Sequence, residues 1–407
     1  MSHFFRRPIF RRDNGFAMEF AGKHYETGTI TNALQAAGVV NPSTRTPYSE
    51  ALILGASGGI AFGSFVFEYK GALPHASLLF RNTFAPFERA LDNMAIRREV
   101  RETVKEEKGE ENLRRALDEG LVPLVWADIF SLPHKGLCNG SGMWMAVPMA
   151  VVGLSDGDYL VADRPGLPSR VSVSDLLKAR GVVKKDRFRI ATFEAPDTSR
   201  LGEGLRRGIE TALALYLDKP PAGSANNWGR VGMRHLASLL VDPKNPKGWT
   251  KQFEPGPRLV QALAGFPGQP GVWDWIETWG FPSAERGAYA SFLREASSWT
   301  GLDLSGSASF FDRLAPMWSA LAETALSDSV PEFVSLKALK GLYRSNPSPE
   351  VRSEIISTIT AARESTRLAE VAGDIRLAMS TQLLEIAELE EEAFLNLKSA
   401  VSGYQQV

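Results

Sequence analysis

The chain has 407 residues, too long for one ordinary domain, and length alone favours two or three, of which two is the working number. Hydrophobic residues make up 44% and charged residues 23%, the balance of a globular protein that buries a full core, which excludes large-scale disorder. With 46 basic and 47 acidic side chains the net charge is -1, so no overall field draws the chain to nucleic acid or to an anionic membrane surface. The single cysteine, Cys138, rules out an intramolecular disulfide and a cysteine-rich zinc site and fits a reducing compartment, so a cytoplasmic protein is expected. Residues 1–12 carry Arg6, Arg7, Arg11 and Arg12 but lack the apolar core and small-residue cleavage site of a secretory signal. No apolar run approaches the roughly 20 residues needed to span a bilayer.

Along the chain, residues 27–37 place Ile30, Ala33, Leu34 and Ala37 at helical spacing, ended by Gly38. Residues 97–119 read as a charged surface helix broken at Gly109. The runs 121–127, 147–152, 159–162 and 188–193 read as strands, with the second and third joined by the Ser155-Asp156-Gly157-Asp158 turn as an antiparallel hairpin. Beyond residue 200 the pattern turns helical, at 201–217, 233–240, 284–298, 310–325 and through the long stretch 349–400. The expected organisation is therefore α+β, with an N-terminal domain over 1–195 and a helical domain over 196–407. In the last segment Ile375, Leu377, Leu384 and Phe394 face Glu385, Glu388, Glu390, Glu391 and Glu392, which predicts an amphipathic helix with a solvated acidic face. Homodimerisation through the helical half is compatible with this composition.

Chemistry-bearing motifs are few. In Leu52-Ile-Leu-Gly-Ala-Ser-Gly-Gly-Ile-Ala-Phe-Gly63 an apolar run enters a glycine cluster, as in a dinucleotide loop. The glycines miss the dinucleotide spacing, no acidic residue follows at the required distance, and Phe62, Phe65 and Phe67 continue the run, so the glycines are assigned to tight backbone packing and no cofactor is expected. The five histidines have no metal-ligand spacing, so no metal is expected, and nucleophile-elbow and Walker motifs are absent. Cys138 follows His134 and Lys135 in a glycine-rich stretch, and nearness in sequence does not establish the contact that would lower its thiol pKa.

One constellation remains: Gly22-Lys-His-Tyr-Glu-Thr-Gly28 leading into a helix, then Ser49-Glu50, the glycine cluster, and a strand ending in Ala162-Asp163-Arg164. This order resembles the N-terminal domain of the butirosin biosynthesis protein H family, and Phe292-Leu-Arg-Glu-Ala296 is similar to an element of that family's helical region. The resemblance implies a papain-like α+β fold and an acyltransferase that takes an acyl or aminoacyl group from a carrier-protein thioester, so the implied partner is a small-molecule or carrier-bound acyl substrate. Such chemistry needs a thiolate at a helix N-terminus, a histidine to accept its proton and an Asp or Asn to orient the imidazole.

Carried over residue by residue, the nucleophile falls on Tyr25 where the family has cysteine, the histidine falls near Val147, and only Asp163 matches the third position. Tyr25, His24, Glu26 and Asp163 are accordingly the candidate catalytic residues, and Thr27, Glu50, Met143, Trp144, Met145, Val147 and Arg164 the candidate substrate-binding ones. Helix capping and a polar pocket wall are the other reading of His24, Tyr25 and Thr27. For Trp144 and the methionines beside it, the other reading is buried core. Three functional readings stay open: an enzyme handling acyl groups by a route altered from Cys-His catalysis, a condensing or cyclising enzyme that uses acid and base groups without a covalent intermediate, and a non-catalytic member that binds a small molecule, a carrier protein or a partner enzyme.

Overall fold

In a computed structural model, the structure describes residues 18–68, 73–137, 144–182, 184–265, 269–344, 348–365 and 374–402. The protein is α+β, in two compact units each assembled from pieces distant in sequence. The first unit takes the chain up to Ile53, then Ala90–Leu201 and Ser345–Ile356; the second takes Leu54–Arg89, Gly202–Arg344 and Ser357–Val407. Leu54–Arg89 thus fall in the unit that holds Gly202–Arg344, apart from the chain on either side of them.

The elements run α1 (Thr27–Ala36), α2 (Glu50–Ala56), β1 (Ile60–Phe67), β2 (His75–Arg81), α3 (Pro86–Asn93), β3 (Arg98–Arg101), α4 (Glu106–Asp118), β4 (Leu124–Asp128), β5 (Ala146–Ser155), β6 (Asp158–Ala162), β7 (Ser169–Ser172), α5 (Val173–Val182) and β8 (Ile190–Phe193). In the first unit six strands form one antiparallel sheet in the order β3-β8-β4-β5-β6-β7. Its inner strands β4 and β5 are almost wholly buried, which is why they read as continuous apolar runs rather than as alternation. Val125, Val147, Met149, Val151, Tyr159 and Val161 pack with Leu113 and Ala116 of α4 and Leu176 and Ala179 of α5 in one core. The β5–β6 hairpin turns at Asp156 and Gly157, both at positive φ (52° and 84°), the signature of a turn whose twist matches the strands.

Two expectations need correction. Residues 97–119 are not one helix: the edge strand β3 comes first, and α4 then runs straight through Gly109. A Cβ there would meet the Phe188 Cβ at 2.5 Å, so glycine serves close packing and does not break the helix. The apolar run before the glycine cluster is helical, α2, and the chain turns at Gly58 and Gly59 (φ 102° and 67°) into β1. A helix followed by a turn and a strand is the reverse of the order a dinucleotide loop requires. The second correction concerns the acidic face of the last helix, Asp374–Ser402. Glu390 is fully buried there, paired with the equally buried Arg286 at 2.5 Å and hydrogen-bonded by Trp318 Nε1 at 3.0 Å, whereas Leu377 and Leu384 are exposed.

The second unit is otherwise helical apart from the antiparallel β1–β2 pair. Helix Ser305–Ala325 packs along Arg286–Thr300 and Asp374–Ser402, and the latter also packs on Gly229–Val241. Phe292 of the Phe-Leu-Arg-Glu-Ala element presses on Gly55, where an added Cβ would lie 2.1 Å from its ring. Among the described residues no helix is long and apolar enough to cross a membrane.

Candidate functional site

The turn before α1 is held by one carboxylate. Glu50, itself buried, accepts hydrogen bonds from the Lys23 amide at 2.6 Å, the His24 amide at 3.0 Å and the Thr27 hydroxyl at 2.8 Å. The Glu26 amide donates to His24 Nδ1 at 3.2 Å and the Gly28 amide to the His24 carbonyl at 2.9 Å. The amides of Lys23, His24, Glu26 and Gly28 are thus engaged inside the turn. Gly22 and Gly28 let it close so tightly, since a Cβ on Gly22 would stand 2.2 Å from the Gly28 carbonyl oxygen.

His24 is buried, while Tyr25 and Glu26 are half-buried, with the His24 and Tyr25 rings 4.1 Å apart between centroids. Tyr25 and Met145 both pack against the core cluster that contains Leu132 and Val147. Val147 is buried apolar surface on β5, at the place where the resemblance puts a histidine. Trp144 is 63% exposed, whereas the Met145 amide is tied to Asp128 at 2.8 Å. Met143 and Cys138 lie outside the described residues.

Two links join this turn to the far end of β6. Asn32 of α1 accepts from the Gly22 amide at 2.8 Å and donates to the Ala162 carbonyl at 3.1 Å. Phe20 and Gly166 then form an antiparallel bridge with both hydrogen bonds made, at 2.9 and 2.8 Å. A third link runs to β5, where the Thr29 hydroxyl donates to the Pro148 carbonyl at 3.0 Å. Asp163 and Arg164 therefore lie in a segment fixed on both sides to the chain around α1.

Asp163 is not vacant. Its Oδ2 is 3.0 Å from His134 Nε2 and pairs with the Lys135 ammonium, and the side chains of His134 and Asp163 are 4% and 3% exposed. His134 and Lys135 sit in a single 3-10 turn, Pro133–Lys135, and Arg352 Nη1 donates to the His134 carbonyl at 3.4 Å. Burial alone would raise the Asp163 carboxyl, but the Lys135 ammonium, with His134 beside it, holds it well below the usual carboxylate range. Burial lowers the His134 imidazole against the opposing pull of Asp163, so the ring is neutral near neutral pH. Burial likewise lowers the Lys135 ammonium against Asp163.

An ionised carboxylate only accepts, so the neutral His134 ring donates Nε2–H to Asp163 and carries its lone pair on Nδ1. That Nδ1 is buried and has no hydrogen-bond partner among the described residues. Sequence reasoning placed Asp163 here but treated His134 and Lys135 only as neighbours of Cys138, because a contact across 29 residues leaves no spacing signature. Among the described residues no group of His, Cys, Asp and Glu is arranged to hold a metal ion. A recess of about 200 Å³ lies in the helical unit between Leu213, Leu217, Lys398 and Val401, with no histidine among the described residues that line it.

What these features define is an α+β domain in which the entry to a buried helix is laced to the end of an antiparallel strand, and that strand leads into an aspartate bound to a histidine and a lysine. Residues 24–164 match the model of the family described as Butirosin biosynthesis protein H, N-terminal. No curated protein matches the chain.

Proposed function

We propose that the turn before α1 is the reacting edge of a papain-like cleft that transfers an acyl or aminoacyl group, delivered as a thioester, in a biosynthetic pathway of specialised metabolism. The observation that carries this reading is that the two ends of the family match, His24 and Asp163-Arg164, lie in segments stitched together through Asn32 and the Phe20–Gly166 bridge. In this reading the Tyr25 hydroxyl attacks the thioester carbonyl, His24 and Glu26 hold the turn around it, and Asp163 orients the proton-handling group. Met145 and Val147 offer apolar surface to the acyl chain beside Tyr25, with Thr27, Glu50 and Arg164 framing its polar end.

The test is intact-protein mass spectrometry after incubation with a panel of acyl and aminoacyl thioesters, followed by peptide mapping. A mass gain that maps to Tyr25 and disappears in Tyr25→Phe supports covalent transfer, and full turnover in Tyr25→Phe removes Tyr25 from the mechanism. A second reading is favoured by the occupants of two positions: tyrosine and valine stand where the resemblance puts the nucleophilic cysteine and its histidine, which suits a non-catalytic member that binds a ligand, carrier protein or partner enzyme. Tight binding of a thioester without any turnover would decide for it.

A further inference from the structure

We infer that His134, held by Asp163, is the proton-accepting base of this region, supplied from the 3-10 turn Pro133–Lys135 in place of a histidine on β5. The inference rests on the acyl-transfer reading above and gives it the group it otherwise lacks.

A tyrosine hydroxyl or an incoming amine must lose a proton as it attacks a carbonyl, and the group that takes it needs a lone pair and a fixed orientation. Val147 has neither. Two histidines of this unit are described. His24 Nδ1 already accepts from the Glu26 amide, which leaves that nitrogen no lone pair for an incoming proton. In His134 the order is opposite in effect: Nε2–H is spent on Asp163 and Nδ1 keeps an unshared pair.

An imidazole fixed through one nitrogen to a buried carboxylate, with the other nitrogen unoccupied, is the arrangement that general-base chemistry requires, because the carboxylate sets the tautomer and stabilises the imidazolium that forms. A purely structural histidine at 4% exposure is expected to find partners for both nitrogens. The turn follows Leu132 directly, and Leu132 belongs to the cluster that holds Val147 and against which Tyr25 and Met145 pack. The charged groups around the ring are Asp163 beyond β6, Lys135 of its own turn, Arg164 next to Asp163 and Arg352 of helix Pro349–Ser365.

The step balances without a further reagent. As the Tyr25 oxygen bonds to the acyl carbon, its proton passes to His134 Nδ1. The tetrahedral intermediate then breaks its C–S bond, and the imidazolium returns that proton to the departing thiolate, leaving an acyl-tyrosine ester, a free thiol and a neutral imidazole. Attack of the acceptor amine on the ester repeats the sequence, with the phenolate as leaving group.

The test uses the full chain and the acetyl thioester of N-acetylcysteamine, with acylation rate followed by intact mass as a function of pH. His134→Gln is expected to acylate roughly a hundredfold more slowly and to lose the rise in rate that tracks histidine deprotonation. Free imidazole is expected to restore part of the rate in His134→Gly. Acylation of Tyr25 at the same rate and with the same pH profile in wild type and His134→Gln overturns the base assignment and leaves the acyl-transfer reading standing. A wild-type chain that takes up no acyl group from any thioester overturns both. Independently of any variant, nitrogen-15 spectra of histidine-labelled wild type are expected to show His134 protonated at Nε2 alone near neutral pH, and a proton on Nδ1 overturns the inference.

Discussion

The carboxylate of Asp163 faces two nitrogen donors from consecutive residues, and their opposed effects make the site responsive to single substitutions. Lys135 pushes the His134 imidazole down while Asp163 pulls it up. Lys135→Met is therefore expected to raise the His134 titration midpoint and Asp163→Asn to lower it, both read from the ring proton shifts of labelled protein. The same shifts set the direction of acid sensitivity. The folded-state value of His134 lies below its ordinary 6.5, so the unfolded chain takes up that proton first and stability falls as the pH drops from about 6.5 towards the folded value. Asp163, held well below 3.8, contributes stability that is fully present above the ordinary carboxylate value and is lost progressively as the pH falls below 3.8 towards the folded value. Denaturant midpoints measured from neutral to mildly acid pH should decline for wild type and decline less for His134→Gln. Parallel curves would mean that the imidazole does not titrate differently in the two states.

The turn into α1 depends on a single side chain at the start of α2. Glu50→Ala would leave two backbone amides and the Thr27 hydroxyl without their acceptor in a buried place, at a cost of about 3 kcal/mol, with Glu50→Gln costing less because one carbonyl oxygen remains. Chemical denaturation checks both; a change under about 0.5 kcal/mol for Glu50→Ala would show that water replaces the carboxylate. At this scale the sequence was readable where local rules decide. Ile30, Ala33 and Leu34 with Gly38 mark α1, and the Asp156-Gly157 turn marks the hairpin, because spacing and turn chemistry are properties of neighbouring residues. The short strands β3 and β7 exist through pairing with β8 and β6, and nothing in Arg98–Arg101 or Ser169–Ser172 announces those partners. Of the candidate site, Asp163 and the 24–27 turn were legible through the motif order. His134 was not, since its meaning comes from a carboxylate brought in by the β5–β6 hairpin.

Each unit is closed by pieces of chain from far apart, and stability at this scale comes from contacts that no contiguous half contains. In the helical unit Arg286 donates to Glu390, to the Phe80 carbonyl and, at 3.0 Å, to the Ala61 carbonyl, so one guanidinium joins the β1–β2 pair to two helices. Glu390→Gln leaves that buried cation without its counter-charge and should cost about 3–5 kcal/mol, measured by denaturant unfolding. The first unit has a parallel dependence: Arg352, near the other end of the chain, holds the carbonyl of His134 and packs against Gly136, so the turn that presents the imidazole is supported by Arg352. A fragment ending at residue 201 keeps Tyr25, Asp163 and His134 but loses that support. It is expected to melt without a cooperative transition and to show His134 titrating at its ordinary value, while co-expression with the remainder of the chain restores the depressed value. A fragment that melts cooperatively and keeps His134 neutral with its proton on Nε2 would show that the sheet and α1 alone suffice to build the site.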